Sequence, residues 1–222
     1  MKKYKHFQGI YEKEGKRNIY TKSISPGINV YNEKIIKFNN HEYREFNPRK
    51  SKLAAGILKG ISQIGIKPGS IVLYLGASTG TTVSHVSDII SNEGFVFALD
   101  FAPRVVRELV FLCEQRKNIA PLLENAFHPL RYKENICLVD VVFQDIAQRN
   151  QVNIFLRNID LFLKKDGFGI LCIKARSIDV TKKPKIIYKE IRKQLEEKIT
   201  IVDYKELDPY EKDHCMFVVK KK

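Results

Sequence analysis

The 222-residue sequence predicts an α/β protein with a mostly parallel seven-stranded sheet and a reversed final strand, preceded by a small N-terminal antiparallel β module. Three observations predict this fold. Short β-forming segments separated by turn residues fill the first 50 residues, strand and helix patterns alternate from residue 71, and two strand-like segments end the chain. Alternation of this kind is typical of a parallel sheet with helices on both faces. We therefore expect two units, residues 1–50 and residues 51–222.

The first unit is predicted to consist of antiparallel hairpins, because its β-forming segments alternate with turn residues. The turns are Glu14-Gly15, Pro26-Gly27 and Asn39-Asn40. The segments cover residues 7–11, 18–21, a stretch around residue 30, residues 34–38 and residues 42–46. A helix over residues 53–58 then leads into the larger unit, and a Lys-Pro-Gly turn at 67–69 precedes its first strand.

The larger unit alternates strand and helix patterns as far as residue 197. The predicted strands are 71–75, 95–99, 119–123, 139–143 and 168–173, and the predicted helices are 82–90, 103–116, 151–163 and 184–197. Two further strands, 199–207 and 215–220, are joined by only seven residues. A parallel crossover needs a dozen or more, so these strands should form an antiparallel hairpin. A seven-stranded sheet with one reversed final strand is the architecture of the Rossmann-like methyltransferases.

A glycine loop follows the first strand of this sheet and precedes its first helix. Gly76 and Ala77 open the loop, Gly80 closes it, and Thr81 and Thr82 begin the helix. Glycines allow close approach of a ligand, and the helix start offers unpaired N–H groups. The spacing is neither G-x-G-x-x-G nor G-x-x-x-x-G-K-[ST], which weakens the dinucleotide and triphosphate interpretations. The loop favours a cofactor with an adenosine and a short polar tail, such as S-adenosylmethionine, which Gly76 and Ala77 should contact.

Polar residues follow the carboxyl ends of the other strands, where open α/β sheets bind ligands. Asp100 ends the second strand, 24 residues after Gly76, near the spacing at which an acidic residue binds a ribose. Phe101 beside it can stack on an adenine. The other strand ends contribute Asn125, Ala126, Asp145, Lys174 and His214.

Each of these residues also has an ordinary structural explanation. Asp100 can cap the helix that begins near Pro103, and Asp145 can be a turn residue. Lys174 and His214 can simply be solvated. We expect a functional cleft because an acid, an ammonium and an imidazole from separate strand ends converge on one edge of the sheet.

The composition favours a polyanionic partner. There are 39 Lys and Arg residues against 25 Asp and Glu, a formal net charge of +14, which suits nucleic acid. A solvated lysine-rich surface would give the same composition. No apolar run approaches the ~18 residues of a membrane span, and no apolar signal region follows the basic N-terminus. We expect no membrane partner and a cytoplasmic protein.

Four cysteines are scattered through the chain without a C-x-x-C pair. They are Cys113, Cys137, Cys172 and Cys215. This pattern predicts reduced, mostly buried thiols and no metal site.

Several segments together closely resemble the fibrillarin family, the RNA 2′-O-methyltransferases of box C/D guide ribonucleoproteins. The segments are residues 74–88, 143–148, 173–179 and 209–214, with residues 49–55 as a similar lead-in. The resemblance covers essentially the whole chain. The chain resembles the compact archaeal form, because it has no Gly/Arg-rich N-terminal tail like that of eukaryotic members.

The resemblance implies a set of residues around S-adenosylmethionine. Besides the glycine loop, they are Thr81, Thr82, Asp100, Phe101, Asn125, Ala126, Asp145 and Gln148. Two positions depart from the usual family residues. Asp100 replaces Glu, and this shorter carboxylate should still reach a ribose. Asn125 replaces Asp, and its carbonyl oxygen can accept from the adenine amino group with one negative charge fewer, so cofactor affinity should differ.

The resemblance also implies four catalytic positions, Lys52, Asp145, Lys174 and His214. The methyl group of a sulfonium is already activated, so the enzyme must align a ribose 2′-hydroxyl and remove its proton. Our hypothesis is that Lys174 is the base or the oxyanion stabiliser and that Asp145 orients it. Lys52 and His214 would position the substrate. The alternative is that Asp145 takes the proton itself.

The partners implied by the resemblance are a box C/D guide RNA, its target rRNA or, as a further candidate, tRNA, a Nop-type scaffold protein and a kink-turn-binding ribosomal-type protein. The A-form minor groove displays 2′-hydroxyls, so no base flipping is needed. Basic residues suited to phosphate contact are Arg49, Lys50, Lys52, Lys174, Arg176, Lys182, Lys183 and Lys185. The run 182–185 can equally be a solvated loop. Nothing resembles a sequence-reading RNA module, so specificity should come from the guide.

Three other functions are weighed against this one. A methyltransferase of the same fold acting on a protein glutamine would need no guide RNA. A non-catalytic scaffold subunit is disfavoured by the joint presence of the four catalytic positions. An NAD-dependent oxidoreductase is disfavoured by the glycine spacing and the reversed last strand.

Overall fold

The structure is a computed structural model that describes residues 1–15 and 17–221. The described residues form two sheets. The smaller sheet contains β1 (Lys2–Lys3), β2 (Ile10–Glu12), β3 (Ile19–Lys22), β4 (Ile35–Phe38) and β5 (His41–Glu45). Its order is β1-β2-β3-β5-β4, and all neighbours are antiparallel. The expected antiparallel N-terminal module is therefore present.

The larger sheet has the predicted mixed topology. Its strands are β6 (Ile71–Leu75), β7 (Phe95–Asp100), β8 (Ile119–Leu123), β9 (Val139–Gln144), β10 (Leu163–Lys174), β11 (Thr200–Glu206) and β12 (His214–Lys220). They lie in the order β11-β12-β10-β9-β6-β7-β8. Strand β12 is antiparallel to both β10 and β11, which confirms the reversed final strand. From β6 the chain adds β7 and β8 on one side, and it then returns to add β9 on the other side of β6. Open α/β sheets bind ligands where the strand order reverses in this way.

Helices cover the larger sheet on both faces. They are α1 (Lys52–Leu58), α2 (Thr81–Ile90), α3 (Pro103–Glu114), α4 (Gln151–Phe162), α5 (Ala175–Ile178) and α6 (Pro184–Glu196). One apolar cluster joins α1 and α2 to one face of the sheet and to the N-terminal sheet, through Ile10, Ile19 and Phe46. A second cluster joins α4 and α6 to the other face. No helix among residues 1–15 and 17–221 has the length and apolar character needed to cross a membrane.

The structure differs from the sequence prediction at four short segments, one of which is the two-residue strand β1, which was not predicted. The stretch around residue 30 is not a strand, because the N–H groups of Val30 and Tyr31 donate to the Glu33 carboxylate rather than to a neighbouring strand. A 3-10 helix at Pro129–Asn135 and the four-residue helix Ala175–Ile178 were not predicted. Both are too short to show a clear helical period.

A buried network of charges ties the N-terminal sheet to α2. Arg44 on β5 pairs with Glu33 at 2.6 Å and with Asp88 on α2 at 2.8 Å. Arg116 pairs with the other oxygen of Asp88 at 2.6 Å, and the Thr21 hydroxyl donates to Asp88. All four charged side chains are fully buried. Asp88 is therefore the shared acceptor that joins two guanidinium groups from separate parts of the chain.

His85 lies inside this network as a neutral ring. Burial lowers its pKa well below the ordinary value, and the charges of Arg44 and Arg116 add to that effect. Because the Thr21 hydroxyl proton goes to Asp88, His85 Nδ1 donates to Thr21 Oγ1 across 2.7 Å. Protonating the second nitrogen would add a third buried cation beside the two arginines.

Stability should therefore fall as the pH is lowered below about 6.5, the ordinary pKa of histidine. In that range the unfolded chain binds a proton at His85 and the folded chain does not, so acid favours unfolding by up to about 1.4 kcal/mol per pH unit. Urea unfolding at pH 5, 6, 7 and 8 measures the effect. The His85→Gln variant keeps a donor and an acceptor and should show a shallower slope. Equal slopes in both proteins would contradict this origin.

Candidate active site at the carboxyl end of the sheet

A cleft of about 280 Å³ opens beyond the carboxyl ends of β6, β7, β8 and β9. It brings together seven of the ten predicted cofactor residues, which are Gly76, Asp100, Phe101, Asn125, Ala126, Asp145 and Gln148. The remaining three, Ala77, Thr81 and Thr82, belong to the glycine loop and to the first turn of α2. The strand-end rule therefore located the cleft, because the parallel strands all end on this edge.

The glycine loop packs tightly against the end of β9. Gly76 has φ +86°, and a Cβ built on it would lie 2.4 Å from the backbone oxygen of Asp145. The N–H groups of Gly76 and Ala77 both donate to the Leu99 carbonyl at the end of β7. Glycine is thus required at position 76 for two reasons, the left-handed backbone and the close approach of the next strand.

Replacing Gly76 by alanine should weaken cofactor binding at least about tenfold and lower the melting temperature. The new methyl group would push Asp145 away and strain a left-handed residue, which by itself costs about 1–2 kcal/mol. Calorimetric titration with S-adenosylmethionine and thermal unfolding measure the two effects. Gly60→Ala is the matched control, because Gly60 has φ +76° but nothing within 4 Å of its built Cβ. Equal losses in both variants would show that backbone strain alone is responsible.

Asp100 combines the two explanations considered for it. One carboxylate oxygen accepts from the Ser78 N–H at 2.9 Å and the other from the Ala102 N–H at 3.1 Å. The first bond holds the glycine loop and the second holds the start of α3, while the side chain borders the cleft. Beside it, Phe101 is 62% exposed and offers an aromatic face. Asp100 can therefore hold the start of α3 and still border the cleft where a ribose would bind.

Asn125 keeps an acceptor for a ligand. Its carbonyl oxygen accepts from the Phe127 N–H at 2.9 Å. An amide oxygen has two lone pairs, so it can accept a second bond. Sequence reasoning missed Glu124, which immediately precedes Asn125 and also lines the cleft. The strand-end rule applies to Glu124 as well and would have found it.

The Thr82 side chain faces the interior rather than the cleft. Its hydroxyl donates to Ser51 Oγ at 3.0 Å, and Ser51 caps α1 by accepting from the Ala54 N–H. This contact connects the glycine loop to the helix that carries Lys52. Ser51 was not singled out from the sequence, although serine at a helix start is a recognisable N-cap.

Lys52 forms an ion pair with Asp145, which lines the cleft. Both carboxylate oxygens of Asp145 lie 2.9 Å from Lys52 Nζ, and each side chain is about one-fifth exposed. Burial is the largest single influence and lowers the pKa of Lys52, but the charge of Asp145 and its hydrogen bond, together with smaller charge contributions, outweigh burial and raise that pKa. We expected Asp145 to orient Lys174. The structure instead pairs Asp145 with Lys52, the first residue of α1.

Lys174 and His214 lie side by side at the edge of the sheet where the parallel strands end, which we call the rim. They are register partners across β10 and β12, so the reversed strand does bring the imidazole to this edge. Lys174 is exposed, whereas His214 is largely buried. His214 Nδ1 lies 2.7 Å from the Lys212 carbonyl, which can only accept, so Nδ1 carries the proton and Nε2 is the acceptor in the neutral ring. Burial lowers the pKa of His214, with a contribution from the Lys52 charge.

All four cysteines lie within the described part of the chain. Cys172 and Cys215 are buried, Cys113 is partly buried and Cys137 is exposed, and all four are free thiols. Within the described part of the chain, no group of three or more His, Cys, Asp or Glu side chains is placed to hold a metal ion.

Comparisons with known proteins agree with one another. The family model described as fibrillarin matches residues 1–222. The fibrillarin-like rRNA/tRNA 2′-O-methyltransferase of Thermococcus onnurineus is 50% identical over 224 residues, covering 100% of this chain and 99% of that protein. Crystalline Aeropyrum pernix fibrillarin with natively bound S-adenosyl-L-methionine superposes with a TM-score of 0.90, at 41% identity over 98% of this chain and 96% of that one. The fibrillarin of a fibrillarin/Nop5p complex gives 0.88, at 38% identity with full coverage of both chains.

Proposed function

This chain belongs to the fibrillarin family, and on that premise we propose that it transfers methyl groups from S-adenosylmethionine to ribose 2′-hydroxyls of rRNA and tRNA as the catalytic subunit of a box C/D particle. The observation that carries the proposal is the Lys52–Asp145 pair. It holds an oriented carboxylate in the lining of the cleft that we assign to the cofactor.

The residues of the cleft fit the cofactor. Gly76 lines the cleft without a side chain, the Asp100 carboxylate suits a ribose diol, Phe101 offers a face for adenine, and Asn125 retains an acceptor. When bound, S-adenosylmethionine supplies an activated methyl group. Asp145 and Gln148 also line the cleft.

The protein's own task is to align the 2′-hydroxyl and accept its proton. Asp145 borders the cleft and is held by Lys52, whereas Lys174 is exposed on the rim. This arrangement favours the alternative in which Asp145 takes the proton and Lys174 holds the RNA. We assign His214, whose Nε2 is an acceptor in the neutral ring, to binding the substrate hydroxyl or a water beside it.

The partners follow from the family and from the charge of the rim. The solved complex of a relative with Nop5p supports a scaffold protein of that kind. We extend the proposal to a guide RNA, its target RNA and the kink-turn-binding protein. Five basic side chains near the rim are exposed and suit phosphate contact, namely Arg49, Lys50, Lys174, Lys183 and Lys185. Arg176 and Lys182 are exposed as well but form surface ion pairs with Asp213 and Glu190.

Methyl transfer from labelled S-adenosylmethionine to a target RNA tests the proposal. The reaction is run with and without a guide RNA and the two partner proteins. We expect transfer to one 2′-hydroxyl opposite the guide, and only with the complete particle. Transfer to a protein glutamine without any guide, or cofactor binding with no transfer under any condition, would overturn the proposal in favour of the protein-substrate or scaffold alternative.

A further inference from the structure

A second and larger cleft, of about 760 Å³, lies between the N-terminal sheet and the C-terminal end of α2. Asp88 and Ile89 line it, whereas the glycine loop precedes the opposite end of the same helix. At 1.5 Å per residue, the ten residues of α2 place its two ends roughly 15 Å apart. The second cleft is therefore separate from the cofactor site, and the reaction described above does not use it.

The charge of this cleft is positive. Lys3, Lys5 and Lys22 line it, and none of them forms an ion pair with a carboxylate of the residues that the structure describes. Asp88 is the one carboxylate in the lining, and it is buried and neutralised by Arg44 and Arg116. The first 50 residues contain twelve Lys and Arg against five Glu, so they hold half of the net charge of the chain.

The wall of the cleft is preformed and aromatic. Tyr4 N–H donates to the Ile10 carbonyl at 2.9 Å, which closes the loop between β1 and β2. Gly9 anchors this loop against α2, since a Cβ there would lie 2.8 Å from the Ile89 oxygen. The rings of Tyr4 and Phe7 stack at 6.2 Å, and Tyr11 lines the cleft with them. The lysines thus surround a fixed aromatic surface.

We propose that this cleft binds a single-stranded segment of RNA. Grooves that hold single strands without sequence preference combine lysine or arginine contacts to phosphates with aromatic rings for the bases. The cleft offers both, with Lys3, Lys5 and Lys22 for phosphates and Tyr4 and Tyr11 for bases. That the RNA belongs to the guide particle rests on the proposed function, but the binding itself does not.

The test uses the full chain and a fluorescein-labelled, unstructured 12-nucleotide RNA, followed by anisotropy between 50 and 200 mM salt. We expect the triple variant Lys3→Gln/Lys5→Gln/Lys22→Gln to bind at least about tenfold more weakly at 100 mM salt. Its slope of log affinity against log salt should fall by about 2, because each single-strand phosphate contact contributes about 0.7. Ultraviolet cross-linking should attach the RNA to the peptide that contains Tyr4 or Tyr11 in the unaltered protein only.

The matched control is Lys165→Gln/Lys193→Gln/Lys198→Gln, which removes the same charge from three exposed lysines elsewhere. Equal losses in both triple variants would mean that net charge alone attracts RNA, and the proposal would fail. It would also fail if the cleft variant kept its RNA affinity but lost binding to the scaffold protein, which would make this cleft a protein interface. Titration with S-adenosylmethionine measures cofactor binding in the first cleft separately. Failure of the RNA-binding proposal would therefore leave the proposed methyl transfer untouched.

Discussion

Replacing Asp145 by asparagine should lower methyl transfer by about 10²–10⁴-fold, the usual share of general acid–base catalysis. Asparagine keeps the size of the side chain but removes the charge that accepts the proton and pairs with Lys52 at 2.9 Å. Cofactor affinity should change much less, because the amide keeps the place of Asp145 in the lining of the cleft. Single-turnover transfer in the assembled particle and calorimetric titration with S-adenosylmethionine measure the two quantities.

Asp140→Asn is the matched control for this experiment. Asp140 lies on β9, the strand that Asp145 immediately follows, and also pairs with a lysine, Lys164 at 2.7 Å, but it sits near the opposite end of that strand. Its replacement should leave transfer unchanged.

The Lys174→Gln variant decides whether Asp145 or Lys174 is the base. If it abolished transfer while Asp145→Asn retained most of the activity, Lys174 would be the base, as first expected from the sequence.

The largest effect on stability should come from Asp88→Asn, which we expect to reduce the free energy of unfolding by about 3–5 kcal/mol. Asp88 is the acceptor shared by Arg44 and Arg116, so its loss leaves the buried Arg116 without a carboxylate and leaves Arg44 with Glu33 alone. Burying an uncompensated charge is costly because neither water nor an opposite charge replaces the lost partner. Urea unfolding monitored by circular dichroism at pH 7 gives the value.

An exposed ion pair provides the comparison. Asp166 pairs with Lys220 at 3.2 Å, and the Asp166 side chain is 71% exposed. Asp166→Asn should change the free energy of unfolding by less than about 1 kcal/mol, since solvent screens such pairs. If Asp88→Asn were as mild as Asp166→Asn, the buried network would not be what holds the N-terminal sheet on α2.

Much of the site could be predicted because it depends on local patterns. The apolar runs and turn residues identify the strands, and parallel strands of one sheet necessarily end on one edge. Gly76, Asp100, Asn125 and Asp145 were located in this way. The seven residues between the last two strands exclude a parallel crossover, so the reversed strand that brings His214 to the rim was predictable as well.

The sequence by itself therefore determined the kinds of elements, their order and the edge of the sheet at which the candidate site residues converge. Only the tertiary structure decided which side chains meet. Asp145 pairs with Lys52, 93 residues away, rather than with Lys174, and Asp88 joins Arg44 and Arg116 from two other segments. The physical reason is that a hydrogen bond or ion pair requires atoms within about 3 Å. Such distances depend on how remote helices and strands pack, which local propensity does not encode.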